Sequence, residues 1–456
     1  MVFHVKKGEP VVIPLATRSN TLFHLMLGTW LGMLFDGLDT TIFMLTMYPC
    51  LAELLKTDSY ARVGEIGAII MAVFMFGWAL GAIGFGILAD KYGRARMLAL
   101  TVIVYGVFTG LCAFCHSWQE LAVWRFFVGC GIGAEASLGG VLLAESLGRS
   151  DFRVRAVGIL QSGFPVGVLL LALLNLLFGK LGWRFLYFLG IAPALLALYL
   201  RAFIEEPSDQ EELRQSLRNI KCKAPHLRTP DESRLLTAPL VSLFDRSNRR
   251  ALLVIMILAG TACIGTYGVL AWLPAWINQI VGTVAIRERS LALIAQNLGA
   301  LCVPLVGGTI VKKCGRPFAF RASFIGALFA CTTLFIFQKS FSYLTLIHIA
   351  MCGFFVCSAW TFLFIYVPEL FEARIRATAF SFSIQSSRVL AGFSALFGGS
   401  LISAFMGQYA VAGASISLVY IIGLVATFFM PPTDGIVGDA KRVGLKTSET
   451  PVEAMQ

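Results

Sequence analysis

Long apolar runs separated by short charged turns leave this chain few ways to fold. Twelve runs can be read, near 22–48, 63–88, 97–115, 120–146, 153–178, 184–203, 249–281, 290–311, 318–337, 342–368, 374–403 and 409–430. A bilayer-crossing helix needs about 20 apolar residues. Helices are the economical solution, because lipid offers no hydrogen-bonding partner to an open strand edge. Composition agrees: 57% of the 456 residues are hydrophobic and 14% are charged, against about 25% charged in an ordinary soluble domain. An all-α integral membrane protein with twelve spans is expected, its even count placing both termini on one side. The run 22–48 is too long for a cleavable signal and lacks a small-residue cleavage site, so it reads as the first span.

Sidedness follows from the bases. Of 37 lysines and arginines, 28 fall in the termini and alternate loops, seven, Arg289 among them, in the opposite set, and two within spans. The basic side is expected to be cytoplasmic. That asymmetry, with contact to anionic lipid headgroups, accounts for the net charge of +11 without nucleic acid. The eleven cysteines are scattered, mostly inside apolar runs, without metal-type spacing, and read as small buried hydrophobes. No metal or cofactor is expected. Nothing resembles a nucleophile triad, and Gly438 to Thr447 has the wrong spacing for a phosphate loop. An enzyme is therefore not expected.

The chain divides into a basic leader (1–21), a six-helix bundle (22–204), a charged linker (205–248), a second six-helix bundle (249–430) and a tail (431–456). The linker contains Pro225, Pro230 and Pro239, with a short amphipathic helix expected near 208–220. The knot Gly86-Ile-Leu-Ala-Asp90-Lys91-Tyr-Gly93-Arg94 turns the chain between spans two and three, and Gly308 to Arg316 repeats its glycine and arginine spacing 222 residues later. Glu369 to Arg376 likewise echoes Glu145 to Arg155, at offsets of 224 and 221. Two motifs at nearly one offset indicate parallel repeated halves.

Charges inside spans are expensive and mark function or a buried pair. Asp36 and Asp39 lie three apart on one face of span one. Span four carries Arg125, the ladder Gly129, Gly131 and Gly133, and Glu135. Alternate glycines allow close helix approach. By helical rise, Asp39 and Arg125 can meet. Such a contact is either a proton switch or a permanent ion pair joining helices one and four; Asp36 and Glu135 are further candidates to carry the proton. In the second half Arg388, in Gln385-Ser-Ser-Arg388, has no acid at comparable depth. It binds an arriving carboxylate, pairs across the central cavity with Asp36, Asp39 or Glu135, or snorkels. Gln161, Asn175, Tyr267, Trp272, Asn297, His348, Trp360 and Gln385 are weaker candidates, for which core packing is an equal reading.

The pattern Gly-x-x-x-Asp-Lys-x-Gly-Arg at 86–94, with Arg125 and its glycine ladder, resembles the signatures of the major facilitator superfamily of secondary transporters over about residues 20 to 430. Asp36-Gly-Leu-Asp39, Gln161-Ser-Gly-Phe-Pro165-Val-Gly167, Gly182-Trp183-Arg184 and Pro368-Glu369-Leu to Arg376 resemble the proton-coupled symporters of organic acids, including the aromatic-acid and sialic-acid groups. Asp39, Arg125, Glu145, Gln161, Glu369 and Arg376 are also similar to positions of the sugar porters, but Thr261 to Val269 lacks the glutamine pair usual there.

The resemblance implies proton-coupled uptake of a small organic anion by alternating access, with a sugar or polyol porter as the alternative. It also implies a monomer in the inner membrane, with substrate, protons and lipid as its partners. In that reading Asp36, Asp39, Arg125 and Glu135 couple the proton. Arg388, Gln161, Tyr267, Trp272, Asn297, Trp360 and Gln385 bind substrate. Gly86, Asp90, Gly93, Arg94, Glu145, Arg155, Glu369 and Arg376 gate. A receptor or sensor on the same scaffold is the third class.

Overall fold

A computed structural model describes residues 15–92, 94–147, 152–192, 243–282, 285–371 and 376–432. The start of the leader, the 208–220 segment and nearly all of the tail lie outside the described residues, which contain helices and turns and no strand. The first half comprises α1 (Leu15–Leu55), α2 (Tyr60–Tyr92), α3 (Arg94–Cys112), α4 (Trp118–Leu147), α5 (Phe152–Phe178) and α6 (Trp183–Leu189). The second comprises α7 (Arg246–Ile264), α8 (Leu273–Val281), α9 (Ile286–Cys314), α10 (Arg316–Phe337), α11 (Tyr343–Leu370), α12 (Arg376–Ala404), α13 (Tyr409–Ser417) and α14 (Val419–Ala426).

Among the described residues eight helical stretches are individually long and apolar enough to cross a membrane. The bent α9 makes a ninth. Its 49° bend falls at Pro304, which removes a backbone donor and clashes with the preceding turn. Three helices are shorter or more polar: α3, α4 with Arg125 and Glu135 along it, and the seven-residue α6. Two spans are broken. A π-turn at Gly265–Val269 and a 3₁₀ turn at Leu270–Trp272 join α7 to α8 in the seventh, and α13 and α14 together form the twelfth.

Glycines decide which helices touch. On α2, a Cβ at Gly77 would overlap the Phe126 carbonyl, and one at Gly81 the Cys130 carbonyl. From α4, Gly129 and Gly133 face the Phe74 and Trp78 carbonyls in the same way. Small residues four apart on both helices let the backbones meet with no side chain between them, the membrane's substitute for hydrophobic association. The second half repeats the contact: Gly299 of α9 lies on the Ala350 carbonyl and Gly353 of α11 on the Gln296 carbonyl. Gly299 follows Gly77 by 222 residues and Gly353 follows Gly129 by 224, so the sequence repeat is also a repeat of packing.

The halves meet through two equivalent pairs, α2 with α12 and α5 with α9. On the side opposite the basic turns this seam is dense. Gly399 packs on Ala68, Gly64 on Ile402, and Gly407 on the Ala61 amide. Replacing Gly81 by Ala forces α2 and α4 apart, and we expect it to lower the melting temperature in detergent by several degrees, an overpacking cost of about 1–3 kcal/mol. Gly84→Ala, where an added Cβ meets nothing within 4 Å, leaves the melting temperature unchanged in the same assay.

Candidate functional site

The α2–α4 contact aims two aromatic rings at two buried guanidiniums. Phe74 and Trp78 lie one turn apart on α2, each with its carbonyl against a glycine of α4. The Phe74 ring carries Arg125, whose guanidinium carbon is 4.2 Å from the ring centroid. The Trp78 ring carries Arg388 at the same 4.2 Å. A cation over an aromatic face is stabilised by the ring quadrupole, the more so when desolvated.

Arg125 also meets Asp39, as the sequence suggests. The two are fully buried and 3.4 Å apart at Asp39 Oδ1, and Arg125 Nη1 donates to the Asp39 backbone carbonyl at 3.1 Å. Thr109 of α3 donates to Asp39 Oδ2. Arg125 Nε and Nη2 have no hydrogen-bond partner. This pair ties α1, α3 and α4 together around a charge that cannot easily be left alone.

A second acidic centre sits one turn along α1. Asp36 lies within hydrogen-bonding reach of Glu135 of α4. Glu135 approaches so closely because Gly32 has no side chain: a Cβ there would overlap Glu135 Oε1. Both groups are buried, and Asp36 Oδ1 and Glu135 Oε2 lack partners. A carboxyl pair with spare oxygens in a dry interior is a place to hold a proton.

Arg388 completes the constellation from the second half. It is 9% exposed, which excludes snorkelling. Three rings surround it: Trp78 at 4.2 Å, Tyr267 at 4.9 Å and Trp360 at 5.0 Å. Tyr267 is presented by the π-turn in the seventh span, and Trp360 is held by its Nε1 donating to Thr266 Oγ1 at 3.0 Å. Nη1 reaches Cys263 Sγ at 3.7 Å, and Nε has no partner. No acid lies within ion-pair distance of Arg388 among the described residues, so the ion pair across the cavity is not formed here. Gln385, one turn away, donates to the Gly133 carbonyl at 3.2 Å and bridges the halves.

Of the remaining sequence candidates, Gln161 is half-buried on α5, the helix packed against α1. Trp272 packs, with its ring tilted, against Tyr409 and beside Gly398, which lies about 15 Å along α12 from Arg388. Asn297 donates to Leu293 of its own helix. Asn175 bonds Ser290 across the α5–α9 seam, and His348 bonds Thr333 of α10. Among the gating residues, Glu369 receives two hydrogen bonds from Arg316, at 2.8 and 3.0 Å. Gly86 has open space around it. Asp90, Gly93, Arg94, Glu145, Arg155 and Arg376 lie outside the described residues and side chains.

The seam opposite the basic turns contains a residue that sequence reasoning misplaced. Counting Arg289 as a loop charge overlooks that it is buried at the start of α9, where Nη1 donates 2.8 Å to the Leu45 carbonyl of α1. The signal is Pro49. Having no N–H, it leaves the carbonyl four residues earlier without a helical partner, and that carbonyl is Leu45. Around this contact Tyr60 donates to the Asn278 carbonyl, Tyr409 to the Tyr60 carbonyl and Gln279 to the Gly407 carbonyl.

The chain is similar to known proteins in sequence and in fold. The sequence profile described as "Major Facilitator Superfamily" matches residues 29–286. A protein of Cupriavidus pinatubonensis described as "Probable 4-methylmuconolactone transporter" is 30% identical, covering 82% of this chain and 83% of that protein. The cis,cis-muconate transport protein of Acinetobacter baylyi is 25% identical over 90% of this chain and 92% of its own. The crystal structure of a D-xylose-proton symporter superposes with a TM-score of 0.69 at 17% identity, covering 91% of this chain and 99% of that one.

The Asp39–Arg125 pair generates a stability test. Asp39→Asn strands a buried guanidinium and Arg125→Gln strands a buried carboxylate, each at a cost of about 3–5 kcal/mol. The double variant strands neither. Thermal unfolding in detergent is expected to show both single variants well below the parent, with Asp39→Asn/Arg125→Gln recovering most of the loss; additive losses would mean that the two side chains act independently.

Proposed function

The chain belongs to the major facilitator superfamily, and from that premise we propose that it is a proton-coupled carrier that takes up a small organic anion by alternating access. The observation that carries this reading is Arg388: a buried cation with no acidic partner among the described residues, ringed by three aromatic side chains. A guanidinium accepts a carboxylate through two parallel hydrogen bonds, and its unpartnered Nε is one of the donors such a fork requires. The rings favour a substrate with an unsaturated or apolar body. Muconate, after which the Acinetobacter baylyi relative is named, has that chemistry, and the same class is proposed for this chain.

The proton belongs to the first half. Asp39, held by Arg125 and Thr109, is one candidate carrier; Asp36 and Glu135, facing each other with free oxygens, form the other. Gln385, one turn from Arg388, donates to the Gly133 carbonyl two residues before Glu135, so a negative substrate arriving at Arg388 changes the field on the carboxyls of the first half, which links the two loads. Asp90, with Gly86, Gly93 and Arg94, gates the basic end, taken as cytoplasmic. Glu145, Arg155, Glu369 and Arg376 belong to the same gate. The Arg289–Leu45 contact and the tyrosines beside it close the other end.

Reconstituted into liposomes and offered labelled aromatic acids, muconate, sialic acid, dicarboxylates, sugars and amino acids, the protein is expected to concentrate an unsaturated acid only under an inward proton gradient. Arg388→Lys keeps the charge and loses the fork, raising KM for that acid about tenfold or more. Uptake of neutral sugars in preference to acids would select the sugar-porter alternative, and an unchanged KM would remove Arg388 from the site.

The gate has its own test. Pro49→Ala gives the Leu45 carbonyl a helical donor and weakens its call on Arg289. Hydrogen exchange over residues 56–64 and 402–410 should then speed up several-fold, as expected of a seam that opens more often.

A further inference from the structure

The start of α7 carries a charge pattern that neither the proton nor the substrate site uses. Arg246, Arg249 and Arg250 fall at helical spacings of three and four, so they share a face, and Leu253, Val254 and Ile257 continue that face into the span. With Ala426 and Phe429 at the end of the last span they line a groove of about 460 Å³. Val254 and Ala426 form its buried floor, while Leu253, Ile257 and Phe429 stand exposed along its walls. Next to the groove in sequence, Thr427 accepts from Arg321 at 3.2 Å and the Phe428 ring is covered by the same guanidinium.

The three groove arginines are exposed and make no ion pair among the described residues. Asp245, immediately before them, is also exposed and pairs with none of them. From Arg246 to Ile257 the stripe is about 16 Å long, close to the half-thickness of a bilayer's hydrocarbon core. A cluster of guanidiniums at the membrane surface above an apolar track one leaflet deep matches one kind of molecule in both charge and shape.

We propose that this groove is a binding site for an anionic phospholipid, its phosphate headgroup held by Arg246, Arg249 and Arg250 and an acyl chain lying along Leu253, Ile257 and Phe429. Basic pockets between spanning helices at a membrane surface suit such headgroups, each arginine favouring an anionic lipid by about fivefold. Because α7 runs on into the π-turn that presents Tyr267 to Arg388, the lipid would hold one end of a helix that reaches the proposed substrate site.

The test uses the full chain in phosphatidylcholine nanodiscs containing a photoactivatable phosphatidylglycerol or, in parallel, the matching phosphatidylcholine, with labelled peptides mapped by mass spectrometry. The phosphatidylglycerol probe is expected to tag residues 250–257 and 426–429 at least about tenfold more than the phosphatidylcholine probe. R246Q/R249Q/R250Q should abolish that preference. Leu253→Trp, which fills the groove and keeps the charges, should reduce tagging in the same segments; unchanged phosphatidylcholine tagging of the other helices serves as the control for folding in both variants. Equal tagging by the two lipids would reduce the groove to ordinary lipid contact and overturn the proposal. So would displacement of the label by excess inorganic phosphate, which would make it a free-anion site, or absence of label, which would mean that another part of the chain covers it.

Discussion

The close approach of α2 and α4 is the contact on which the centre of this protein depends. Because Gly129 and Gly133 put nothing between the helices, Phe74 and Trp78 project from fixed backbone positions, and each ring becomes the seat of a guanidinium. One belongs to the first half and the other to the second. A methyl group at the ladder would therefore disturb packing, the buried ion pair and the seat of Arg388 at once.

The charges near this contact are distributed unequally. The first half holds three buried carboxyls and one guanidinium around α1 and α4, whereas the second contributes a single guanidinium inside an aromatic cage. The packing repeat that links Gly77 to Gly299 and Gly129 to Gly353 shows that both halves share one scaffold. The chemistry was not copied with it. In the proposed mechanism proton handling and anion recognition lie on opposite sides of the seam, with Gln385 bridging it through the Gly133 carbonyl.

Much of the fold could be read from the sequence because membrane spans announce themselves by length and hydropathy, and the paired motifs at offsets of 222 and 224 residues exposed the halves. The Asp39–Arg125 contact was legible for a similar reason, since a buried arginine demands an acid at its own depth. Side chains whose role depends on a neighbouring helix were not legible. Trp78 reads as one more apolar residue until α12 brings Arg388 to its face, and Arg289 reads as a loop charge until α9 is seen to begin before it. The π-turn at Gly265–Val269 breaks the ordinary helical spacing, so Tyr267 could be chosen as a candidate but not aimed.

The contact between Arg289 and Leu45 has a consequence for how readily the molecule changes shape. A carbonyl inside an unbroken helix already has its partner, and enlisting it as a latch would set two donors in competition. Here proline has vacated the position beforehand, so in the proposed alternating access the same oxygen is satisfied by the guanidinium when the ends meet and by water when they separate. A hydrogen bond to a charged group is worth about 1.5–3 kcal/mol, small beside the cost of breaking a helix, so a door hung on such a hinge can swing without the helix that carries it ever unwinding.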